Sequence, residues 1–329
     1  MHSRDLIEQY KSYVQDWRRY FHKHPELSNE EFETTKTLAK ELESMGVEVH
    51  VDTERGIGLI GIIHGGKPGK AIALRADIDA LPVHEHNTVD YKSETEGKMH
   101  ACGHDGHMAI LLGAAKMLMS MKDRIEGDVY LAFKPAEETG VGAPDFIQFG
   151  DWYDKIDAIF GGHVWIDLPA GLISVEEGPR MAASSQITIN VKGKQGHGAQ
   201  PHQAIDAIVV ASAIVMNLQT VVSRNVSALD SLVLTIGNIH SGSEWNVIPG
   251  EAKMGGTIRF FDPDQEEYYV ESIRRVVEHT AEAYGATATL EYVKKVPPTI
   301  NDPASSELAE RVVIDTLGKD KLSKMRKVM

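Results

Sequence analysis

Cysteine is nearly missing from this chain: Cys102 is the single one among 329 residues. One thiol cannot close an intramolecular disulfide, which excludes a disulfide-stapled scaffold and fits a reducing compartment. Long apolar runs are missing too. No stretch approaches about eighteen uninterrupted apolar residues, and the segment Met1 to Tyr10 carries charges without any apolar run. Neither a membrane span nor a secretion signal is expected, and the chain reads as cytoplasmic. Positive charge is in deficit, since 34 Lys and Arg face 48 Asp and Glu for a formal net charge of −14. Such a surface repels phosphate backbones and anionic lipid, so nucleic acid and membrane are not expected partners. Internal repeats and low-complexity tracts are also lacking. What remains, 42% apolar and 25% charged residues, is the balance of a folded globular protein, and the length exceeds what one core usually supports.

Periodicity sketches the elements. Leu6, Tyr10, Val14, Trp17 and Phe21 recur at helical spacing up to Pro25. Ser28 with Glu31 reads as a capping box opening a second helix through Phe32, Leu38 and Leu42 to Gly46. Short β-prone runs follow at Val47–Val51, Gly58–Ile63, Ala71–Arg75 and Asp128–Lys134, with a helix from Gly106 to about Met121. Helices interleaved with apolar strands predict a mixed α/β layer whose functional groups sit where strands run out into loops. Beyond about Met181 the texture becomes that of a compact α+β unit. Its strands are expected at Gln186–Val191, Leu232–Ile236, Ala252–Arg259 and Thr287–Tyr292, and its helices at Ala204–Leu218 and Gln265–Tyr284. A last helix is expected near Ser305–Leu317.

The densest chemistry lies in His100-Ala101-Cys102-Gly103-His104-Asp105-Gly106-His107. Cys102 and His104, two apart in extended backbone, would project to one side, and the glycines would let the chain bend close to a borderline-soft ion such as Zn²⁺. A lone cysteine or histidine is more often a packed or satisfied core residue. So many polar groups together need a common partner, which favours a metal. Glu137 and Glu138 end the strand Asp128–Lys134, where they would repel each other unless a cation or proton intervened; the alternative is a solvated acidic pair. Gly161-Gly162-His163 puts another histidine at a strand exit. Asp77 and Asp79 follow the strand Ala71–Arg75 and would either orient a ligand histidine or form an Asx turn or a salt bridge with Arg75.

Taken in order, these segments resemble the metallopeptidase and amidohydrolase family that includes aminoacylase, hippurate hydrolase, the plant auxin-conjugate hydrolases and bacterial glutamate carboxypeptidase. The resemblance rests on Trp17-Arg18-Arg19, His24-Pro25-Glu26-Leu27-Ser28, Arg75 to Pro82, Cys102 to His107, Glu137-Glu138 and Gly162-His163, and covers almost the whole chain. It implies an α/β fold, a mixed-sheet catalytic domain carrying an inserted α+β lid and dimerisation domain. Residues 1–180 would form the first part of the catalytic domain, 181–292 the lid, and 293–329 the return. Cys102, His104, Glu138 and His163 would be ligands of a two-metal site holding Zn, Mn, Co or Ni. Glu137 would be the general base acting on a metal-bridged water. Gly193-Lys194-Gln195-Gly196-His197 resembles the lid signature whose histidine supports the oxyanion, often across a homodimer. Asn246 and Arg259 match positions that hold the substrate carboxylate or the tetrahedral intermediate; from the residues alone they could be a turn former and a surface charge.

The implied activity is hydrolysis of the amide bond of N-acyl amino acids, with the cysteine ligand pointing to the amidohydrolase branch. Dipeptidase or carboxypeptidase activity is the enzymatic alternative, and Cys102 as a nucleophile is another. The family pattern continues past Met329 with a Gly-Glu-Asp-Phe-like segment and a further ligand histidine. Without them the first domain is expected to be C-terminally incomplete, which leaves a non-catalytic metal-binding scaffold as a further alternative.

Overall fold

The computed structural model describes residues 3–329. The chain divides into two compact units, the first ending at Gly171 and the second running from Leu172 to Met329.

In the first unit the order is α1 (Ser3–Lys23), α2 (Phe32–Ser44), β1 (Glu48–Val51), β2 (Leu59–His64), β3 (Ile72–Asp77), α3 (His104–Met119), β4 (Asp128–Lys134), α4 (Gly142–Gln148), α5 (Trp152–Lys155) and β5 (Ala158–Gly161). The strands form one mixed sheet in the order β1-β2-β4-β3-β5. β1, β2 and β4 pair antiparallel, whereas β4, β3 and β5 run parallel. Side chains alternate across β4: Val129, Leu131 and Phe133 join the core under α1, α2 and α3, while Tyr130 and Ala132 join Phe146 and Trp152 on the other face. Burial on both faces explains why this strand is an almost continuous apolar run.

The second unit comprises β6 (Gly178–Met181), β7 (Ser184–Lys192), β8 (Gly196–His197), α6 (Ala207–Thr220), β9 (Leu232–Ser241), β10 (Val247–Ile248), β11 (Glu251–Phe260), α7 (Glu266–Ala283), β12 (Thr287–Val296), β13 (Thr299–Asn301) and α8 (Pro303–Leu317). Its antiparallel sheet has the order β12-β7-β11-β9, and α6 and α7 bury one face of it. Residues 207–225, α6 and the turn after it, are long and apolar enough to cross a membrane by composition alone. Ala207, Val210, Ala211, Ile214 and Leu218 spend that apolarity in the core of the unit.

Two local readings are corrected. α2 begins at Phe32, and the free N–H groups of Glu33 and Thr34 are taken by the Glu26 carboxylate at 3.2 and 2.7 Å, not by a Ser28–Glu31 box. α3 begins at His104, not after Gly106, because Gly103 turns left-handed at φ 88° and Asp105 complements the positive end of the helix. Cys102 and His104 are therefore related by a turn, not by extended backbone.

Candidate metal centre

The three parallel strands end together. Asp77 is in register with Lys134, and Arg75 with Gly161, so the residues just beyond β3, β4 and β5 emerge along one edge of the sheet. Asp79, Glu137 with Glu138, and His163 occupy those three exits. α3 starts against the same edge and contributes His104. This is the carboxyl edge of a parallel sheet, where loops rather than ladder bonds decide what the side chains meet.

His104 is fully buried. Its Nδ1 donates to the Asp79 carbonyl at 2.9 Å and lies 3.2 Å from Asp79 Oδ1. The lone pair is thereby directed to Nε2, which has no hydrogen-bond partner and stands 4.0 Å from Glu138 Oε1, itself buried and unpartnered. His163 repeats the arrangement: Nδ1 donates to the Val164 carbonyl at 2.6 Å, and Nε2 faces the Cys102 sulfur at 3.4 Å. Three groups, Cys102 with His104 and His163, His104 with Glu137 and Glu138, and Asp77 with His104 and His107, each bring their ligand atoms within 4.8 Å of one another. In the third, His107 Nε2 already accepts the Val164 N–H at 3.0 Å, so that nitrogen has no lone pair left to give.

The electrostatics call for a cation. Burial opposes a charge on His104, but the hydrogen bond to Asp79 and the nearby Cys102 and Asp77 charges outweigh it and lift the ring to about 11. Hydrogen bonds to His104 and His163 lower the Cys102 thiol. Burial raises the Glu138 carboxyl, with Glu137 adding to the rise. A proton on His104 is thus held by the thiolate and carboxylate charge around it. Once that proton leaves, His104 Nε2 and Glu138 Oε1, both buried without hydrogen-bond partners, beside the Cys102 sulfur and His163 Nε2, are the donor set a divalent ion fits.

Behind these atoms, Asp79 Oδ2 accepts from the Ser28 hydroxyl at 2.7 Å and from Glu138 N–H at 2.9 Å, so one carboxylate ties the loops after β3 and β4 to each other. Burial opposes its ionisation, yet the bonds from His104, Glu138 and Ser28 hold it well below the usual carboxylate range. Asp77 instead takes a bidentate contact from Arg75, at 2.6 and 2.7 Å, and a second cation from buried Lys134 at 3.1 Å.

In the second unit, His197 pairs directly with Val247 across the β8–β10 ribbon, and Asn246 accepts the Gly198 N–H at 2.9 Å, so His197 and Asn246 are neighbours and both exposed. Arg259 sits on a separate strand. It lies eight positions beyond Glu251 on β11, about 26 Å along the strand at 3.3 Å per residue.

Several groups at the first unit's site have partners or surroundings that the residue patterns did not indicate. Glu31 is buried and its Oε1 accepts the Ala136 N–H at 2.7 Å. Asp105 is held by His22 Nδ1 at 2.8 Å and Arg18 Nε at 2.9 Å. His100 is buried with neither ring nitrogen partnered. His100 and Asp105 stand inside the conspicuous motif. Capping-box spacing assigned Glu31 to its own helix, whereas its partner is 105 residues away.

Comparison with known proteins adds a second line. The model of peptidase family M20/M25/M40 matches residues 73–329. A thermostable carboxypeptidase of Saccharolobus solfataricus is 40% identical over 323 residues, 94% of this chain and 81% of that protein. An N-acyl-L-amino acid amidohydrolase of Geobacillus stearothermophilus is 40% identical over 299 residues, covering 90% and 80% of the two chains. The crystal structure of a dinuclear metal-binding M20 peptidase from Bacillus subtilis superposes with a TM-score of 0.87 at 34% identity, covering 97% of this chain and 83% of that one.

Proposed function

This chain belongs to peptidase family M20/M25/M40, the hydrolases of mixed α/β fold that the sequence resembled, and from that premise we propose that it removes the acyl group from N-acyl amino acids. The observation that carries the reading is the pair of buried, unpartnered lone pairs on His104 and Glu138 beside Cys102 and His163. In this reading those four residues hold two divalent ions, with Zn, Mn, Co and Ni the candidates for mixed sulfur, nitrogen and oxygen donors. Bound there, the ions supply Lewis-acid polarisation of the amide carbonyl and make water nucleophilic near neutral pH.

The chain's own groups do the rest. Glu137, half-buried next to Glu138, takes the proton from the attacking water on its carboxylate and hands it to the departing amine nitrogen. Asp79 keeps the proton of His104 on Nδ1, so that Nε2 stays a donor of electrons. Asp77 steadies the end of β3 through Arg75 and Lys134. His197 supports the oxyanion, and Arg259 and Asn246 hold the substrate carboxylate or the tetrahedral intermediate, a guanidinium fork suiting a carboxylate. A homodimer through the lid belongs to the same reading, in which His197 serves a neighbouring subunit's centre. The catalytic stretches 1–180 and 293–329, the lid 181–292 and a cytoplasmic location belong to the same proposal.

A second reading, carboxypeptidase action on the same centre, is favoured by the name of the Saccharolobus relative. Metal-loaded protein is to be assayed against N-acetyl, N-benzoyl and indole-acetyl amino acids, with dipeptides and a chelated control. Release from the acyl substrates that chelation abolishes supports deacylation. Release from peptides alone supports the second reading. No release from any substrate leaves a metal-binding scaffold.

A further inference from the structure

Glu31 is a fully buried carboxyl group that the reading above does not use. Burial pushes it up to about 7. It heads α2 without capping it, since its side chain turns away from the helix toward the loop after β4. There its Oε1 accepts the N–H of Ala136 at 2.7 Å, and its Oε2 meets no partner.

Ala136 is the conformational oddity of that loop. It is fully buried and sits at φ 53°, a left-handed conformation that is unfavourable for a residue with a Cβ and persists only where the surroundings enforce it. Its carbonyl is held by Gly142 N–H at 3.2 Å and the Thr139 hydroxyl at 3.1 Å. Gly142 must be glycine for this, because a Cβ there would meet the Pro135 carbonyl at 2.2 Å. The N–H of Ala136 faces Glu31 alone. The two residues that follow the reversal are Glu137 and Glu138.

We propose that Glu31 is a positioning residue: by accepting the Ala136 N–H it holds the left-handed turn that presents Glu137 and Glu138 at the sheet edge. The inference rests on the proposed roles of those two carboxylates, but its structural half stands without them. Removing the acceptor leaves a buried amide unsatisfied and lets Ala136 relax toward φ below zero, which swings both glutamates. Glutamine keeps an oxygen at the same place and so preserves the clamp.

The test compares Glu31→Ala and Glu31→Gln with wild type by amide hydrogen exchange and by kinetics of the metal-loaded protein. Glu31→Ala is expected to speed exchange about tenfold or more in the peptide spanning 135–142 while α2 is unchanged. It is expected to lower kcat about 100-fold, with KM within about threefold, and Glu31→Gln to restore both to within about threefold of wild type. Faster exchange throughout the first unit, no change in 135–142, or equal damage from glutamine overturns the inference. Should Glu31→Ala not fold, Thr139→Ala loosens the same turn from its exposed side; unaltered exchange and kcat there also overturn it. If wild type cleaves no acyl amino acid, the proposed reaction fails, and the exchange data alone still decide the clamp.

Discussion

Glu137 and Glu138 are adjacent in sequence and identical in type, yet their surroundings divide the work between them. Glu138 has its N–H bound to Asp79 and its Oε1 buried against His104, whereas Glu137 has neither contact, which suits the part of base in the proposed reaction. Glu137→Gln is expected to cut kcat about 10²–10⁴-fold while metal content, measured by elemental analysis, stays at the wild-type level. Activity unaffected by that change would remove Glu137 from the reaction. His22 makes a second prediction at this scale. Its hydrogen bond to Asp105, aided by Glu85 and opposed by burial, raises its pKa above the ordinary value. The bond's contribution is therefore fully present below about pH 6.5 and is lost as pH rises through the higher folded-state value. The gap in urea midpoint between wild type and His22→Gln should narrow as the pH is raised from about 5.5 to about 9. A gap that widens would refute the ion pair.

At the scale of elements, the site depends on how α3 is seated. Its first turn carries His104, Asp105 and His107, its middle packs on α1, and Asp105 is gripped by Arg18 and His22 from α1 itself. Gly113 lets the helices approach: a Cβ there would stand 2.5 Å from Val14 Cγ2. Because valine is stiff at χ1, α1 has to shift rather than the side chain. Gly113→Val is expected to destabilise the protein by about 1–3 kcal/mol, read from chemical denaturation. A variant as stable as wild type would mean that α1 yields without cost. The start of α3 also shows where periodicity misleads. Gly103 and Gly106 read as loop residues, yet Gly103 in a left-handed turn is what allows a helix to begin on the next residue, and Gly106 is carried inside it.

At the scale of the whole molecule, a centre built from buried, unpartnered lone pairs is destabilised without its ions. Metal that binds only the folded chain stabilises it by about 4 kcal/mol at a free concentration near 1,000 times Kd. Chelation should therefore lower the calorimetric Tm and re-addition of metal restore it, with the midpoint tracking metal concentration. A Tm indifferent to chelator would remove the metal from the native state.

The local pattern was enough for the main elements, from α1 with its apolar face to β4 with its unbroken apolar run, because helix and strand periods are properties of neighbouring residues. It was enough, too, to mark Cys102, His104, Glu137, Glu138 and His163 as chemically unusual, since they fall in dense motifs or at strand exits. Sequence could not decide what each polar group faces. Ser28 and Glu31 have capping-box spacing, yet Glu26 takes the cap, and the other two reach across the fold to Asp79 and Ala136. Asp77 and Asp79 are equivalent by pattern, and tertiary structure gives one to Arg75 and Lys134 and the other to His104 and Glu138. Apart from the local Arg75–Asp77 and Glu26–Thr34 contacts, those choices are set by hydrogen bonds and ion pairs between residues about 25 to 105 positions apart, available only once β3, β4 and β5 lie side by side. Spacing along the chain carries no information about such partners, because a buried polar group takes whichever donor the packed fold brings within reach.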